Sequence, residues 1–216
     1  MVLPTSAQVR ALLDSADEPF GAVVALAAFA GLRLGEAAGV QVRDVDFLRG
    51  KLAVSRQIQR AGGGKIEQRP PKYGSERTVF LPANLVELLA RHVELHRPDG
   101  EPSRWLFVGE GVDPPHQNTV GHRWRKTCRA AGVEGITLHD LRHFYASGLI
   151  AAGCDVVTVQ RALGHAKATT TLNTYAHLWP TAEDRTRRAA EAMLADVLSP
   201  SDDVPSRALP VPSGTS

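Results

Sequence analysis

The sequence predicts an α+β fold that is mostly α: one helical domain with a small antiparallel β-sheet near its N-terminal third. The chain has 216 residues, 43% of them hydrophobic, which is long enough for a single domain with a real core. Short β-type segments separated by Gly and Pro breaks fall between Val45 and Leu81. Helix-type patterns occupy the chain on both sides of that region.

Each element follows from a local pattern. Ser6–Ala16 places apolar residues on one face, and Glu18–Leu32 is apolar nearly all round, which is typical of a buried helix. The Gly62–Gly64 break and the Pro70–Pro71 pair mark turns between strands. The predicted strands are Val45–Phe47, Lys51–Gln59 and Arg77–Leu81. The predicted later helices are Ala83–His96, Asn118–Ala131, Leu138–Ala152, Val156–Leu163 and Thr181–Leu198.

Composition excludes several classes of protein. Two cysteines are too few for a disulfide scaffold, and the longest apolar run, Phe20 to Leu32, is too short for a membrane span. The N-terminus lacks the pattern of a signal peptide, so we expect a soluble cytoplasmic protein without a membrane partner. Residues 199–216 are rich in Pro and Ser, which predicts a flexible tail after a domain of residues 1–198.

The formal net charge of +2 hides an uneven distribution of charged residues. Basic residues concentrate between Val42 and Arg77 and between His116 and Val133, whereas Thr78 to Asp113 is acidic. Such a chain can present one positive face while staying near neutral overall. Chance clustering on a solvated surface explains the same pattern equally well.

Two short segments carry residues suited to phosphate chemistry. Arg33 follows the buried helix, and an Arg held near a core must pair with a carboxylate such as Glu36 or with an anionic ligand. His139 and Arg142 share a helix face, because residues three apart are neighbours, and His143 is expected on another part of that helix. The pair combines a proton-exchanging group with a permanent charge shaped for phosphate.

A third segment follows a predicted helix end at Gly164. His165 comes directly after it, and Tyr175 lies ten residues later in a Thr-rich, loosely helical stretch. Taken alone, a Tyr in such a place is usually a half-buried packing residue.

Together these segments resemble, in the right order, the catalytic domain of the tyrosine recombinases, the phage integrase family. The resemblance covers roughly residues 5–196 and includes a hairpin-like stretch from Pro70 to Pro82, where Lys72 matches the family's lysine and Lys65 lies nearby. The positions that match the family's signature are Arg33, Lys72, His139, Arg142, His165 and Tyr175.

The resemblance implies site-specific DNA recombination through a covalent 3′-phosphotyrosyl intermediate, with Tyr175 as the nucleophile. A phenol is mostly protonated at neutral pH, so His139 is the expected proton acceptor. Arg33 and Arg142 would clamp the phosphate oxygens, and His165 would donate a further hydrogen bond.

Three further expectations complete the implied site. Lys72 would protonate the 5′-oxygen that leaves, and Glu36 would hold Arg33 in position by pairing with it. With these cations and imidazoles present, the reaction would need no metal and no cofactor.

The resemblance also implies double-stranded DNA as the partner and a homotetramer for the full-length protein, with a monomer for this domain alone. Family members carry an N-terminal core-binding domain that clamps the duplex, and Arg33 lies too close to Met1 for such a domain to fit. The basic residues expected to contact DNA are Arg56, Arg69, Arg77, Arg123, Arg125 and Lys126.

Other functions remain open from sequence alone. A type IB topoisomerase shares this chemistry, and a catalytically inactive DNA-binding relative would share the fold. A metal hydrolase would use the i, i+4 pairs His139/His143 or His92/His96, although the Glu of the zincin pattern is missing and the second pair is more simply explained as surface histidines.

Overall fold

The computed structural model describes residues 3–61, 65–97, 101–109 and 111–198. The expected turn at Gly62–Gly64 and the expected tail of residues 199–216 lie outside these ranges. The fold is mostly helical with small antiparallel sheets, as the sequence predicts. The chain divides into two units, Met1–Leu178 and Trp179–Ser216, and the second unit contains helix α9, Ala182–Leu198.

The N-terminal helices begin where the capping residues place them. Helix α1, Ser6–Ser15, starts with a capping box, in which the Thr5 side chain accepts the N–H of Gln8. Helix α2, Glu18–Phe29, starts after Asp17 and is buried along most of its length. It ends three residues before the predicted Leu32.

Gly31 accounts for that early end of α2. Its φ is +63°, a left-handed conformation that disfavours any residue with a Cβ. A Cβ at this position would also lie 2.5 Å from the ring of Tyr145. The chain therefore turns sharply here, and Arg33 follows at the start of a new helix, α3, Leu34–Ala38.

The predicted single sheet is in fact two small antiparallel sheets. Strands β1 (Val45–Asp46), β2 (Lys51–Val54) and β5 (Arg77–Phe80) form the first, in the order β1-β2-β5, and Leu52 faces Val79 across it in the core. Strands β3 (Gln57–Arg60) and β4 (Ile66–Arg69) form the second.

The predicted strand Lys51–Gln59 is interrupted because Arg56 turns inward. Its guanidinium pairs with the buried carboxylate of Asp44 and donates to the Gly39 carbonyl at 3.3 Å. Strand β4 was not predicted, because its side chains are mostly exposed and polar and show no alternation.

The later helices begin and end close to their predicted boundaries. A capping box of Thr137 and Asp140 starts the sixth helix, and Asp155 caps the seventh. These helices are α4 Ala83–His96, α5 Gln117–Ala131, α6 Leu138–Ala151, α7 Val156–Leu163 and α8 Ala168–Tyr175. The hydrophobic core surrounds α2, which packs against α1, α4 and α6. No helix within the described ranges is long and apolar enough to cross a bilayer.

A buried ion-pair cluster joins α3, β5 and the end of α7. Glu36 on α3 lies between two guanidinium groups, 2.7 Å from Nη1 of Arg33 and 2.9 Å from Nη2 of Arg77. Arg77 also donates from Nε to the Ala162 carbonyl at 3.0 Å. Burial alone would raise the pKa of the Glu36 carboxyl, but the hydrogen bonds and charge of Arg77, with those of Arg33, hold it below its usual range.

We expect Glu36→Gln to lower the free energy of unfolding by about 3–5 kcal/mol at pH 7, because it leaves two guanidinium groups without their carboxylate. The pKa of Glu36 is lowered in the folded state, so its contribution is present above the ordinary pKa of 4.5 and is lost as the pH falls through the folded value. The difference from wild type in urea denaturation should therefore shrink below about pH 4.5.

Glu67→Gln is the matched control, since Glu67 forms an exposed pair with Arg69 and its loss should change the free energy of unfolding little. Equal destabilisation by both variants would contradict a structural role for the buried cluster.

Candidate active site

A cavity of about 530 Å³ opens where α6, the N-terminus of α3 and the segment from Gly164 to Tyr175 meet. It brings together five of the six residues that match the family signature. Those five are Arg33, His139, Arg142, His165 and Tyr175. The other side chains that line it include Tyr73, His143, Lys167, Thr170 and Thr174.

Arg142 is the most firmly held cation of the site. It is 1% exposed, and its guanidinium donates to the carbonyl of Gly31, at the end of α2, and to that of Leu163, at 2.5 Å, at the end of α7. Burial lowers its pKa to about 9, and the charge of Arg33 acts in the same direction. The group therefore stays cationic at neutral pH, with its orientation fixed by two backbone carbonyls.

Arg33 is the more open of the two cations. Its backbone N–H donates to Glu36 at 3.0 Å, and its guanidinium pairs with the other oxygen of the same carboxylate. The Arg33 side chain is 25% exposed, so part of the guanidinium can reach a ligand in the cavity. The structure thus shows the predicted pair with Glu36 and leaves part of the Arg33 side chain exposed.

Tyr175 is a buried residue that also lines the cavity. It is the last residue of α8, is 1% exposed, and its hydroxyl lies 2.7 Å from Nδ1 of His143. Burial raises the pKa of this phenol, while the charges of Arg142 and Arg33 act to lower it. The hydroxyl is therefore protonated at neutral pH and needs a base before it can attack.

His143 is the functional candidate that the sequence analysis missed. It was expected on another part of α6, yet it lines the cavity and hydrogen-bonds Tyr175, whereas the His139 ring lies 4.8 Å from that of His143. Residues four apart on a helix are neighbours, so the i, i+4 spacing noted for a metal site was the available signal. Burial lowers the pKa of both imidazoles, and each is lowered further by Arg142.

His165 is placed by the left-handed Gly164 that ends α7. A Cβ at Gly164 would lie 2.8 Å from Nη1 of Arg77, so both the φ of +64° and the space require glycine here. The Nδ1 atom of His165 is 2.9 Å from Oγ1 of Thr171. Burial, followed by the charges of Arg142 and Arg33, lowers its pKa to about 4, so the ring is neutral at neutral pH.

Lys72 lies beside the cavity rather than on its wall. It is exposed on the 3₁₀ turn Lys72–Gly74, whose middle residue, Tyr73, does line the cavity with a φ of +60°. Lys65 is also exposed. Lys167, which was not selected from the sequence, lines the cavity and is exposed two residues after His165.

The basic residues expected to form one DNA-binding face have different environments. Arg56 and Arg77 do not lie on an exposed patch, since their side chains are 13% and 6% exposed and pair with Asp44 and Glu36. Arg123 pairs with Asp17 at 2.5 Å and lies over the Phe20 ring. The remaining three, Arg69, Arg125 and Lys126, are exposed.

The histidine pairs considered for a metal hydrolase also have other roles. His92 is buried, unlike the surface histidine expected, and lies with Nε2 2.7 Å from the Leu106 carbonyl. Burial lowers its pKa to about 4. Within the described ranges, no group of three or more His, Cys, Asp or Glu side chains is arranged to hold a metal ion.

Comparison with known proteins connects this geometry to a family. A family model described as the phage integrase family matches residues 4–181. A tyrosine recombinase XerC-like protein of Caldanaerobacter subterraneus subsp. tengcongensis is 30% identical over 178 residues, which cover 74% of this chain and 46% of that protein. The ICEBs1 integrase of Bacillus subtilis is 30% identical over 156 residues, covering 69% of this chain and 42% of that protein. The chain thus spans less than half the length of these relatives.

Solved structures show the same fold. The Tn1549 transposon integrase in complex with transposon right end DNA superposes with a TM-score of 0.74 at 23% identity, over 90% of this chain and 66% of that one. XerA recombinase superposes with a TM-score of 0.65 at 25% identity, over 84% of this chain and 66% of that one. The catalytic domain of bacteriophage HP1 integrase gives 0.56 at 18% identity, over 94% of this chain and 98% of that domain. By the extent of its family match and of its relatives, this chain belongs to the phage integrase family.

Proposed function

We propose that this chain is the catalytic domain of a tyrosine recombinase, which cuts and rejoins double-stranded DNA during site-specific recombination. One observation carries the proposal: a buried tyrosine, Tyr175, lines the same cavity as two arginines and three histidines, and its hydroxyl contacts one of those histidines. Packing alone does not require a tyrosine beside two arginines and three histidines, whereas phosphoryl transfer to a protein nucleophile uses such a group next to cations that can bind a phosphate.

In this mechanism a DNA phosphodiester occupies the cavity with its non-bridging oxygens against Arg33 and Arg142. The Tyr175 oxygen attacks phosphorus, forms a 3′-phosphotyrosyl bond, and displaces the 5′-oxygen. Negative charge grows on the non-bridging oxygens as the transition state forms. Guanidinium groups fixed in advance stabilise that charge more than the ground state, and His165 adds a hydrogen bond.

The leaving 5′-oxygen needs a proton, and Lys72 is the proposed general acid. Its position on a short exposed turn next to Tyr73, which lines the cavity, lets it approach the leaving group from the side of the sheet. Lys65 is the alternative acid from the sequence, and Lys167 lies on the cavity wall itself. The strand is rejoined when the same steps run in reverse.

DNA contacts outside the cavity are proposed for the three exposed basic residues, Arg69, Arg125 and Lys126. Phosphate neutralisation by such side chains gives binding that weakens steeply with salt. Arg56 and Arg77 are excluded from this surface by their buried pairs, and Arg123 is directed to Asp17.

Membership of the family supports a proposal about location, assembly and domain organisation. We propose a cytoplasmic enzyme that acts as a homotetramer on DNA when joined to a core-binding domain, with residues 1–198 as the catalytic domain. The exposed apolar side chains of α9, among them Met193, Leu194 and Val197, suit a helix exchanged between neighbouring subunits.

The two alternatives that share this fold receive less support. A type IB topoisomerase would use the same cavity, but the relatives described above are named as recombinases and integrases. A catalytically inactive DNA-binding relative would not need Tyr175, His165 and both arginines in one cavity.

Tyr175→Phe should abolish covalent adduct formation and leave DNA binding nearly unchanged, because only the nucleophilic oxygen is removed. The measurement uses a pool of nicked duplexes with randomised sequence around the nick, which trap the adduct, followed by a denaturing gel. Tyr73→Phe is the matched control, since Tyr73 lines the same cavity. Adduct lost in Tyr73→Phe and kept in Tyr175→Phe would reassign the nucleophile.

The Lys72→Ala variant should cleave a duplex recovered from that pool more slowly than wild type does. Replacing the bridging 5′-oxygen by sulfur should restore the rate, because a thiolate leaves without a proton. Lys65→Ala should cleave the oxygen substrate at the wild-type rate. Failure of the sulfur substrate to rescue Lys72→Ala would move the acid role to another lysine.

Arg125→Ala and Lys126→Ala should each weaken binding of a random-sequence duplex and reduce the salt slope of the logarithm of the association constant by about 1. Arg91→Ala, which removes an exposed charge on α4 that pairs with Glu18 at 3.5 Å, should leave the slope unchanged. Wild-type slopes in both α5 variants would place the DNA-binding surface elsewhere.

A further inference from the structure

We infer that His143, and not His139, is the group that takes the proton of the Tyr175 hydroxyl during DNA cleavage. This inference rests on the proposed recombinase function and assigns a residue to one of its steps. The O–H bond of Tyr175 breaks as its oxygen bonds to phosphorus, the proton passes to Nδ1 of His143, and the bond from phosphorus to the 5′-oxygen breaks. That oxygen receives its proton from the separate acid.

The contact between the two groups is direct. The Tyr175 oxygen and Nδ1 of His143 are 2.7 Å apart, which is the separation expected for O–H···N donation and for proton transfer without a bridging water. The two ring centroids are 5.6 Å apart in an edge-on arrangement. Tyr175 is 1% exposed, so water cannot compete for its proton in this state.

The other two imidazoles of the cavity are less well placed. Nδ1 of His165 is 2.9 Å from the Thr171 hydroxyl, which occupies that nitrogen. The ring of His139 lies 4.8 Å from that of His143, one helical turn away along α6. The ring contact of His139 is thus with His143, whereas His143 contacts the Tyr175 hydroxyl itself.

The charges around His143 leave it able to accept a proton. On α6, His139 and Arg142 disfavour the imidazolium and Asp140 favours it. Tyr175 faces it from α8, and Arg33 and Lys167 line the same cavity. Burial is the largest influence and lowers the pKa of His143, so the ring is neutral at neutral pH, and the protonated Tyr175 donates to it.

The first test uses the free protein and no DNA. In long-range ¹H–¹⁵N NMR spectra of histidine-labelled protein at pH 7, Nδ1 of His143 should be unprotonated and its signal should move in Tyr175→Phe. The signal is assigned by its loss in His143→Asn. A proton found on Nδ1 would make His143 the donor and overturn the inference, whatever the cleavage activity of the protein.

The second test measures adduct formation in a single turnover at saturating DNA, across a range of pH. In His143→Asn the amide oxygen can still accept a hydrogen bond from Tyr175 but cannot take its proton. The rate should fall by about 10²–10⁴-fold, and the limb of the pH profile due to a titrating imidazole should disappear. Should His143→Asn fold poorly, as judged by circular dichroism and DNA binding, His143→Gln replaces it.

His139→Asn is the matched variant, from the same helix and the same cavity. Retention of the wild-type rate and pH profile by His143→Asn, or loss of the titrating limb only in His139→Asn, would overturn the inference. If wild type itself forms no adduct, the recombinase function fails, and the NMR measurement still decides whether His143 accepts the Tyr175 proton.

Discussion

Three guanidinium groups and one carboxylate share the interior beside the cavity, and the rest of the site depends on how they are balanced. Glu36 lies between Arg33 and Arg77, and Arg142 is held by two backbone carbonyls instead of an acid. Three positive charges against one negative charge leave an excess of cations in a poorly solvated place. Such an excess is costly to bury; hydrogen bonds to Glu36 and to backbone carbonyls offset the cost for Arg77 and Arg142, and Arg33 keeps partial contact with solvent.

The three arginines differ in how far their pairing leaves them exposed to the cavity. Arg77 bonds to Glu36, to Ser75 and to Ala162, so it joins β5 to α3 and α7 and has little left to offer a ligand. Arg33 shares the same carboxylate but remains partly open to the cavity. The same set of bonds therefore joins three elements beside the cavity and orients Arg33, one of the two arginines that line it.

The sequence predicted most of the helices, because they are amphipathic or apolar over ten residues or more and carry ordinary caps. It did not predict α3 or β4, since a five-residue helix and a strand with exposed polar side chains have no detectable period. The five residues of the cavity were predictable from ordered motifs. The contact between His143 and Tyr175 was not, because it depends on how α6 and α8 pack.

Dependence on packing also explains why the local charge of a segment did not predict which basic residues are exposed. Arg56 and Arg77 contribute to a basic stretch of the chain, yet both turn inward to acids distant in sequence: Asp44 for Arg56 and Glu36 for Arg77. Sequence reports the charge that a segment carries, whereas only the packing decides which charges are paired. Long-range pairs between segments are invisible to composition and to helical or strand periodicity.

The charges around the cavity also affect how readily its three imidazoles accept a proton. Burial and the neighbouring arginines lower the pKa of His139, His143 and His165, so the imidazoles are weak bases. In the mechanism proposed above, a phosphodiester in the cavity brings a negative charge that offsets part of the arginine charge, and this raises the pKa of each imidazole. In that mechanism, substrate binding itself makes the imidazoles stronger bases, beside a tyrosine whose pKa is raised by burial.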